Sequence, residues 1–300
     1  MDTTLLEDFL ELARELNFSR AAENRNMTQP AFSRRMKNLE NDIQTPLISR
    51  TTRQVALTSA GRALQPRAEA IVRMLSDARL ETLEAAGRAK KSLNLAATHA
   101  LSYTFVPRWL MRVGDPEEIG TLNMASDTHR QCLRIMQNGG VNFFICHKSP
   151  TGSQDLPNRQ FLCHAIGHDC LVPLCAPEAD GKPRWRIGSG LPKVPFISYA
   201  NASGLHAILE AHWATDGRPG IEPTMNSVLA STNLEMAKAG QGVAYLPLTL
   251  AENDIQGGHL VRAAGEEMDV PVQVVIYRPR SRMSPHCEAF WQNVIGREEA

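Results

Sequence analysis

The chain has 300 residues, 43% of them hydrophobic and 21% charged, with 32 basic side chains against 32 acidic ones. That length exceeds one small module and points to two or three domains with their own cores. The charge balance excludes a uniformly polycationic chain, and no apolar run approaches the roughly 18 residues that a membrane-spanning helix needs. The acidic, helix-like N-terminus lacks signal-peptide organisation, so the expected location is the cytoplasm, without membrane association.

The first predicted element is a helix over about Leu5 to Leu16, where Leu6, Phe9, Leu10 and Ala13 form an apolar stripe. A helix-turn-helix follows. Ser19-Arg20-Ala21-Ala22 opens one short helix, Asn24 to Asn26 breaks it, and a second begins at Thr28-Gln29-Pro30. Ser19 and Thr28 are read as N-caps, because a side-chain oxygen can accept from the free amides of a first turn. Pro30 fits just inside the start, where its missing N–H costs nothing. Phe32, Met36, Leu39 and Ile43 recur at helical spacing and form the expected inward face. Gln29, Ser33, Arg34 and Lys37 then lie outward. These side-chain types suit a DNA groove: Gln pairs with adenine, Arg with guanine, and Ser with a base or phosphate.

Beyond Ile43, two short strands are predicted around a basic turn, with Arg50 and Arg53 placed to meet phosphates or the minor groove. Between Arg20 and Arg67 there are nine Arg and Lys against three Asp and Glu. The positive charge is therefore local, as phosphate binding requires. Thr58 or Ser59 caps the next helix, which runs to about Ala86 with Leu64, Ile71, Leu75, Ala78 and Thr82 along one side. Such a stripe suits self-association, and Pro66 predicts a kink or a late start.

Gly87 to Lys91 forms a charged hinge, after which strand and helix patterns alternate. Leu93 to Ala97 is a strand, Ala100 to Met111 a helix that Pro107 can interrupt, Thr121 to Ala125 a strand, Arg130 to Gln137 a helix stopped at Gly139-Gly140, and Val141 to His147 a buried strand. From Asp169 the logic repeats. Strands are expected near Leu171 to Cys175, Pro195 to Tyr199 and Val243 to Leu246, with helices near Ser203 to Ala214 and Ser227 to Ala239. These units indicate α/β lobes with parallel pairing. The glycines of Gly240-Gln241-Gly242 follow a helix and precede a strand, the wrong order for a dinucleotide fingerprint, and read as a helix stop.

Six cysteines form no C-x-x-C pair. Cys163, His164, His168, Cys170 and Cys175 are metal-ligand types, but two apolar strands, Phe161 to Ile166 and Cys170 to Ala176, would scatter them over both faces and both sides of a turn. No metal and no cofactor is expected. The chain also lacks a P-loop and a G-x-S-x-G elbow, which disfavours an enzyme or a solute-binding protein built on the lobes.

Phe18-Ser19-Arg20-Ala21-Ala22, Thr28 to Ser33, Leu39-Glu40, Pro46-Leu47, Arg50, Arg53 and Leu57-Thr58-Ser59-Ala60-Gly61, in that order and spacing, resemble the LysR-type transcriptional regulators. Arg25, Gln44 and Ile48 depart from that pattern, which favours Leu, Gly and Phe there. The resemblance implies a winged helix-turn-helix in which Gln29, Ser33 and Arg34 approach bases, Thr28 and Pro30 approach the backbone, and Arg53 acts from the wing. It implies an α/β fold class overall: an all-α-type winged domain over 1–58, a linker helix and hinge over 59–90, and a periplasmic-binding-protein-like regulatory domain over 91–300. Lobe I would take about 91–162 and 268–300, and lobe II about 163–267. Two crossover strands would join them, with Val270 to Tyr277 and Pro285 to Val294 returning to lobe I. The implied partners are double-stranded DNA, a small-molecule signal, RNA polymerase, and further copies of the chain as a dimer through the linker helix or a tetramer.

A cleft between such lobes is a natural anion or small-molecule site. Thr98-His99-Ala100-Leu101-Ser102 and Tyr199-Ala200-Asn201-Ala202-Ser203 each follow a strand and open a helix. They match the places where the family grips effectors, which implicates Thr98, Ser102, Asn201 and Ser203. Capping is the equally ready reading for Thr98, Ser102 and Ser203. His99 is a candidate pH-dependent anion contact. Leu95 to Ser102, Tyr277 to Pro285 and Phe290-Trp291 resemble the hypochlorite-responsive branch, which would instead place the switch in Met or Cys oxidation.

Overall fold

The computed structural model describes residues 2–50, 55–86, 92–113, 119–150, 156–188 and 190–296. The chain divides into two compact units, one of Met1–Ala89 with Gln137–Gly140, the other of Lys90–Met136 with Val141–Ala300.

In the first unit, helices α1 (Thr3–Glu15), α2 (Phe18–Asn24) and α3 (Gln29–Ile43) enclose a core of Leu6, Phe9, Leu12, Ala21, Ala22, Phe32, Met36 and Leu39. Ala21 and Ala22 have no bulk to hold the helices apart. Each large side chain buried here contributes about 1.5–3 kcal/mol. The cap of α2 is Asn17, not Ser19: Asn17 Oδ1 accepts from the amides of Ser19 at 3.0 Å and Arg20 at 3.1 Å. Asn17 is one residue ahead of the helix, where a side-chain oxygen can reach those amides, whereas Ser19 is already inside it. Thr28 holds the cap position of α3 but makes no side-chain capping bond. Asn26 turns the chain at φ 53° between α2 and α3.

Strands β1 (Ile48–Arg50) and β2 (Val55–Leu57) pair antiparallel. Glu40, from the Leu39-Glu40 pair, accepts the amides of Leu47 at 2.8 Å and Ile48 at 3.0 Å, which fastens β1 to α3. Helix α4 (Ser59–Ala85) is capped by Thr58, whose hydroxyl accepts from Gly61 N at 3.0 Å and donates to Pro46 O at 2.8 Å. The expectation of a late start at Pro66 fails, since α4 is already helical at Ser59 and carries Pro66 inside it. Thr58 secures the first turn, and the missing proline amide is lost further along an established helix.

In the second unit, β3 (Ser92–Thr98) lies parallel between β4 (Thr121–Asp127) and β5 (Phe143–Lys148). Phe105 separates α5 (His99–Thr104) from α6 (Val106–Val113), and α7 (His129–Gln137) leads to β5. The predicted pair of strands around 161–176 is instead one strand, β6 (Phe161–Cys175). It stays extended because β11 (Val270–Pro279) pairs antiparallel with it from Leu171 to Phe161, with Gly167 opposite Val274 and a one-residue irregularity at Ile166 before Ala165 meets Val275. The sheet order is β10-β6-β11-β5-β3-β4, with β9 (Ala244–Pro247) also on β6 and β10 at Val261–Arg262. Alternate residues face opposite sides: Leu95, Phe143 and Ile145 pack with Trp109, Phe290 and Trp291, the last two on α11 (Pro285–Gly296), while Ala96, Phe144 and Cys146 pack with Cys132 and Tyr277.

The second lobe centres on β7 (Val194–Tyr199), parallel to β8 (Ile221–Ser227), with α8 (Gly204–Asp216), α9 (Ala230–Lys238) and α10 (Leu248–Gln256) around them. Ser227 ends a strand rather than opening a helix, because 221–227 is held by the ladder to β7. Gly240, at φ 72°, closes α9 as expected.

Candidate functional site

Two surfaces collect the predicted site residues, one in each unit. On α3, Thr28, Gln29, Pro30, Arg34 and Lys37 are exposed and Ser33 is half-buried, opposite the buried Phe32, Met36 and Leu39. Gln29 Nε2 donates to Ser33 Oγ at 3.1 Å. The two side chains therefore present one shared set of donors and acceptors one helical turn long. Arg50 lies in β1, and Arg53 falls outside the described residues, as does the hinge at 87–91.

In the second unit, a cavity of about 420 Å³, including its open mouth, lies between the lobes. Thr98, His99 and Ala100 reach it from the end of β3 and the start of α5. Asp127, Thr128 and His129 come from β4 and α7, His147 from β5, Ser203, Gly204 and Leu205 from the start of α8, and Val228 and Ala230 from the start of α9. Four helix beginnings thus converge, each presenting amides that lack an intrahelical partner. Gly204 belongs in this wall for a steric reason: a Cβ there would come 2.9 Å from the His129 ring.

Thr98, His99 and Ser203 line the cavity; Ser102 and Asn201 do not. Ser102 is buried behind it, donating to His99 O at 2.7 Å and sharing a 2.9 Å contact with Ser126 Oγ. The Asn201 carbonyl takes Arg130 Nη2 at 3.2 Å, a link between the lobes. Neither Thr98 nor Ser203 makes a side-chain capping bond, and Thr98 Oγ1 is buried with no protein partner. The capping alternative therefore fails at both positions. His99 Nδ1 lies 3.0 Å from Ser126 Oγ.

Sequence reasoning missed Asp127, Thr128, His129 and His147. His147 is 5% exposed, and its Nε2 lies 3.1 Å from Asp169 Oδ2 on β6. Asp169 also accepts from Thr249 Oγ1 at 2.6 Å, Thr249 N at 3.2 Å and Cys170 N at 2.8 Å, joining β5 to the start of α10. Burial pushes the Asp169 carboxyl up, but the hydrogen bond and charge of His147, with Thr249 and the Cys170 amide, hold it below its ordinary value. A depressed carboxyl contributes stability that is present above its unfolded value and is lost as pH falls through its folded value. Asp169→Asn is therefore expected to flatten the acid side of the unit's thermal-unfolding profile, read by circular dichroism. A profile parallel to the parent's down to the lowest folded pH would contradict this coupling.

Four of the six cysteines are core residues, and Cys163 and Cys170 are half-buried. Cys132, Cys146, Cys175 and Cys287 are buried, and burial pushes the Cys132 thiol up to about 12 and that of Cys170 up to about 11. Among the described residues no helix is long and apolar enough to cross a membrane, and no three His, Cys, Asp or Glu residues group as a metal site.

Comparison with known proteins adds an independent finding. Residues 3–62 match the bacterial regulatory helix-turn-helix protein, lysR family, and residues 86–297 match the LysR substrate binding domain. The HTH-type transcriptional regulator YjiE of Escherichia coli (strain K12) is 26% identical over 294 residues, covering 98% of this chain and 94% of that protein. The full-length structure of HypT from Salmonella typhimurium, a hypochlorite-specific LysR-type transcriptional regulator, is 25% identical with a TM-score of 0.60, covering 100% of this chain and 99% of the other. Vibrio fischeri DarR in complex with DNA shares the fold, at a TM-score of 0.57 and 23% identity over 98% of each chain.

Proposed function

The chain belongs to the LysR family and is a DNA-binding transcriptional regulator with an effector-binding domain; from that premise we propose that a small anionic metabolite, gripped in the interlobe cavity, sets its activity. The observation that carries this reading is the unpartnered Thr98 hydroxyl, buried where four helix starts converge. A carboxylate or comparable anion would accept from Thr98, Ser203 and the free amides, and imidazole N–H groups of His99, His129 and His147 would add donors. Asp127 also lines the cavity, its Oδ1 accepting from Thr128 N at 2.7 Å, and its charge turns an anion toward the Thr98 and histidine side. The anion acts by binding one arrangement of the lobes more tightly than another. Thermal-shift titration with carboxylate metabolites tests it: a hit should raise the midpoint in the parent and not in Thr98→Val. A hit that stabilises Thr98→Val equally would remove the cavity from the mechanism.

Hypochlorite specificity belongs to HypT by its own description. The raised thiols of Cys132 and Cys170 disfavour a switch at those two cysteines, because thiolate is the reacting form.

At the DNA, Gln29, Ser33 and Arg34 read bases while Thr28, Pro30, Lys37, Arg50 and Arg53 hold the backbone. Exposure of one polar face of α3 supports this division. Arg34→Ala should cost about 1–3 kcal/mol on the selected operator and far less on scrambled duplex; equal losses would assign Arg34 to phosphate. The reading includes a dimer through α4, supported by Ile71, Met74 and Leu75 standing 40%, 62% and 54% exposed on that helix. Dimerisation places two recognition helices on paired half-sites.

A further inference from the structure

Two of the nine cations between Arg20 and Arg67 converge on a single carboxylate. Asp8, on α1, has no solvent exposure. Its Oδ1 accepts Nε–H of Arg25 at 2.7 Å, and its Oδ2 lies 2.7 Å from Arg35 Nε in an ion pair that no well-aimed hydrogen bond completes. Arg25 Nη2 additionally meets Glu7 Oε2 at 2.7 Å. Arg25 closes α2, its amide returning to the carbonyls of Ala21 and Ala22, while Arg35 sits on α3 between exposed Arg34 and buried Met36. One side chain of α1 therefore engages the turn and the second helix of the helix-turn-helix together.

The apolar core holds α3 by burial, which is nondirectional and tolerates small rotations about the helix axis. A buried carboxylate paired with two cations is a fixed anchor that resists displacement, because separating the pair strands a charge away from water. Neighbouring residues on a helix differ by about 100° in direction. Fixing Arg35 consequently fixes where Arg34 points, and with it the Gln29-Ser33 pair on the same helix. We propose that Asp8 is a positioning residue for base reading: through Arg35 and Arg25 it sets the rotation of α3, and so tunes sequence discrimination without touching DNA. The two arginines serve registry rather than phosphate affinity. The proposal rests on the reading that the exposed face of α3 contacts bases.

The test uses the full chain and measures binding to the selected operator and to scrambled duplex across a salt series, for Asp8→Asn, Arg35→Lys, Glu7→Gln and, as reference, Arg34→Ala. Arg35→Lys keeps the charge and removes the Nε that meets Asp8 Oδ2. It should lower the operator-to-scrambled ratio about ten-fold while affinity for scrambled DNA and its salt slope stay at parent values. Asp8→Asn should lower the ratio at least as much if it folds, and Glu7→Gln, which meets only the outer edge of Arg25, should leave it unchanged. An unchanged ratio in Arg35→Lys beside a lowered one in Arg34→Ala overturns the positioning role. Equal weakening of both duplexes by Arg35→Lys overturns it too, by making Arg35 a phosphate contact. A ratio unmoved by Arg34→Ala overturns the base-reading face and the proposal with it.

Discussion

Truncating Phe143 to alanine should destabilise the second unit by about 3–5 kcal/mol, the largest single loss expected for this chain. Phe143 is fully buried on β5, its ring 5.1 Å from that of Phe290 and 6.3 Å from that of Trp291, both on α11. The same group continues through Phe290 to Trp109 on α6 at 6.1 Å. The ring therefore joins the returning C-terminal helix to the sheet whose strand ends carry Thr98 and His147. A void there loses transfer energy and contacts that neighbouring rings cannot recover, because rigid aromatic side chains collapse poorly into space. Urea unfolding of the regulatory unit should show a lower midpoint with an unchanged slope. Met111→Ala, at a side chain 85% exposed on α6, is the control and should stay within about 0.5 kcal/mol. Comparable midpoints for the two variants would remove Phe143 from the centre of this core.

Substituting Gly61 with alanine should abolish retention of duplex DNA while leaving ligand binding by the other unit intact. A Cβ at Gly61 would collide with the backbone oxygen of Leu47 and come within 3.2 Å of its carbonyl carbon and 3.3 Å of Leu57 Cδ2. The obstacle is backbone, so no rotamer change relieves it. Overpacking of this kind costs about 1–3 kcal/mol, and here it separates α4 from the segment that Glu40 and Thr58 tie to the wing. Electrophoretic mobility shift together with a thermal-shift assay on the metabolite site distinguishes the outcomes. Parent-level DNA retention would show that the wing does not depend on this approach.

Helix positions in the first unit were legible because their signals are local. Pro30, the Phe32-Met36-Leu39 spacing and the small Ala21-Ala22 pair each act within a few residues, and the structure places them as the pattern requires. The cap of α2 was misread by two positions, since Asn17 and Ser19 are both competent acceptors and only the chain's path selects between them. In the second unit, β6 looked like two strands because Gly167-His168-Asp169 resembles a turn. Pairing with β11 from Phe161 to Leu171, straight through that segment, overrides the local preference. Strand β8 carries no clear strand signal, and only its last residue, Ser227, falls in the expected helix: residues 222–224 are exposed and show little apolar alternation, and its ladder partner β7 lies more than twenty residues away in sequence.

The candidate sites divide along the same line. Gln29 and Ser33 could be found by reading, because side chains three or four residues apart on a helix share a face by geometry alone, and Arg34 adjoins them. His147 and Asp169 carried no such signal, being 22 residues apart and joined only when β5 and β6 flank β11. Asp8, seventeen residues from Arg25 and further still from Arg35, is equally invisible as a partner in the linear chain. Residue order alone carried the family, the helix-turn-helix and the alternating α/β character of the remainder, since motif spacing and periodicity are short-range properties. The fold settled which polar groups meet: which hydroxyl stands without a partner, which histidine faces which carboxylate, and which cations pair with a buried carboxylate. Those choices depend on distances between segments remote in sequence, which the chain settles only by burying its apolar faces together.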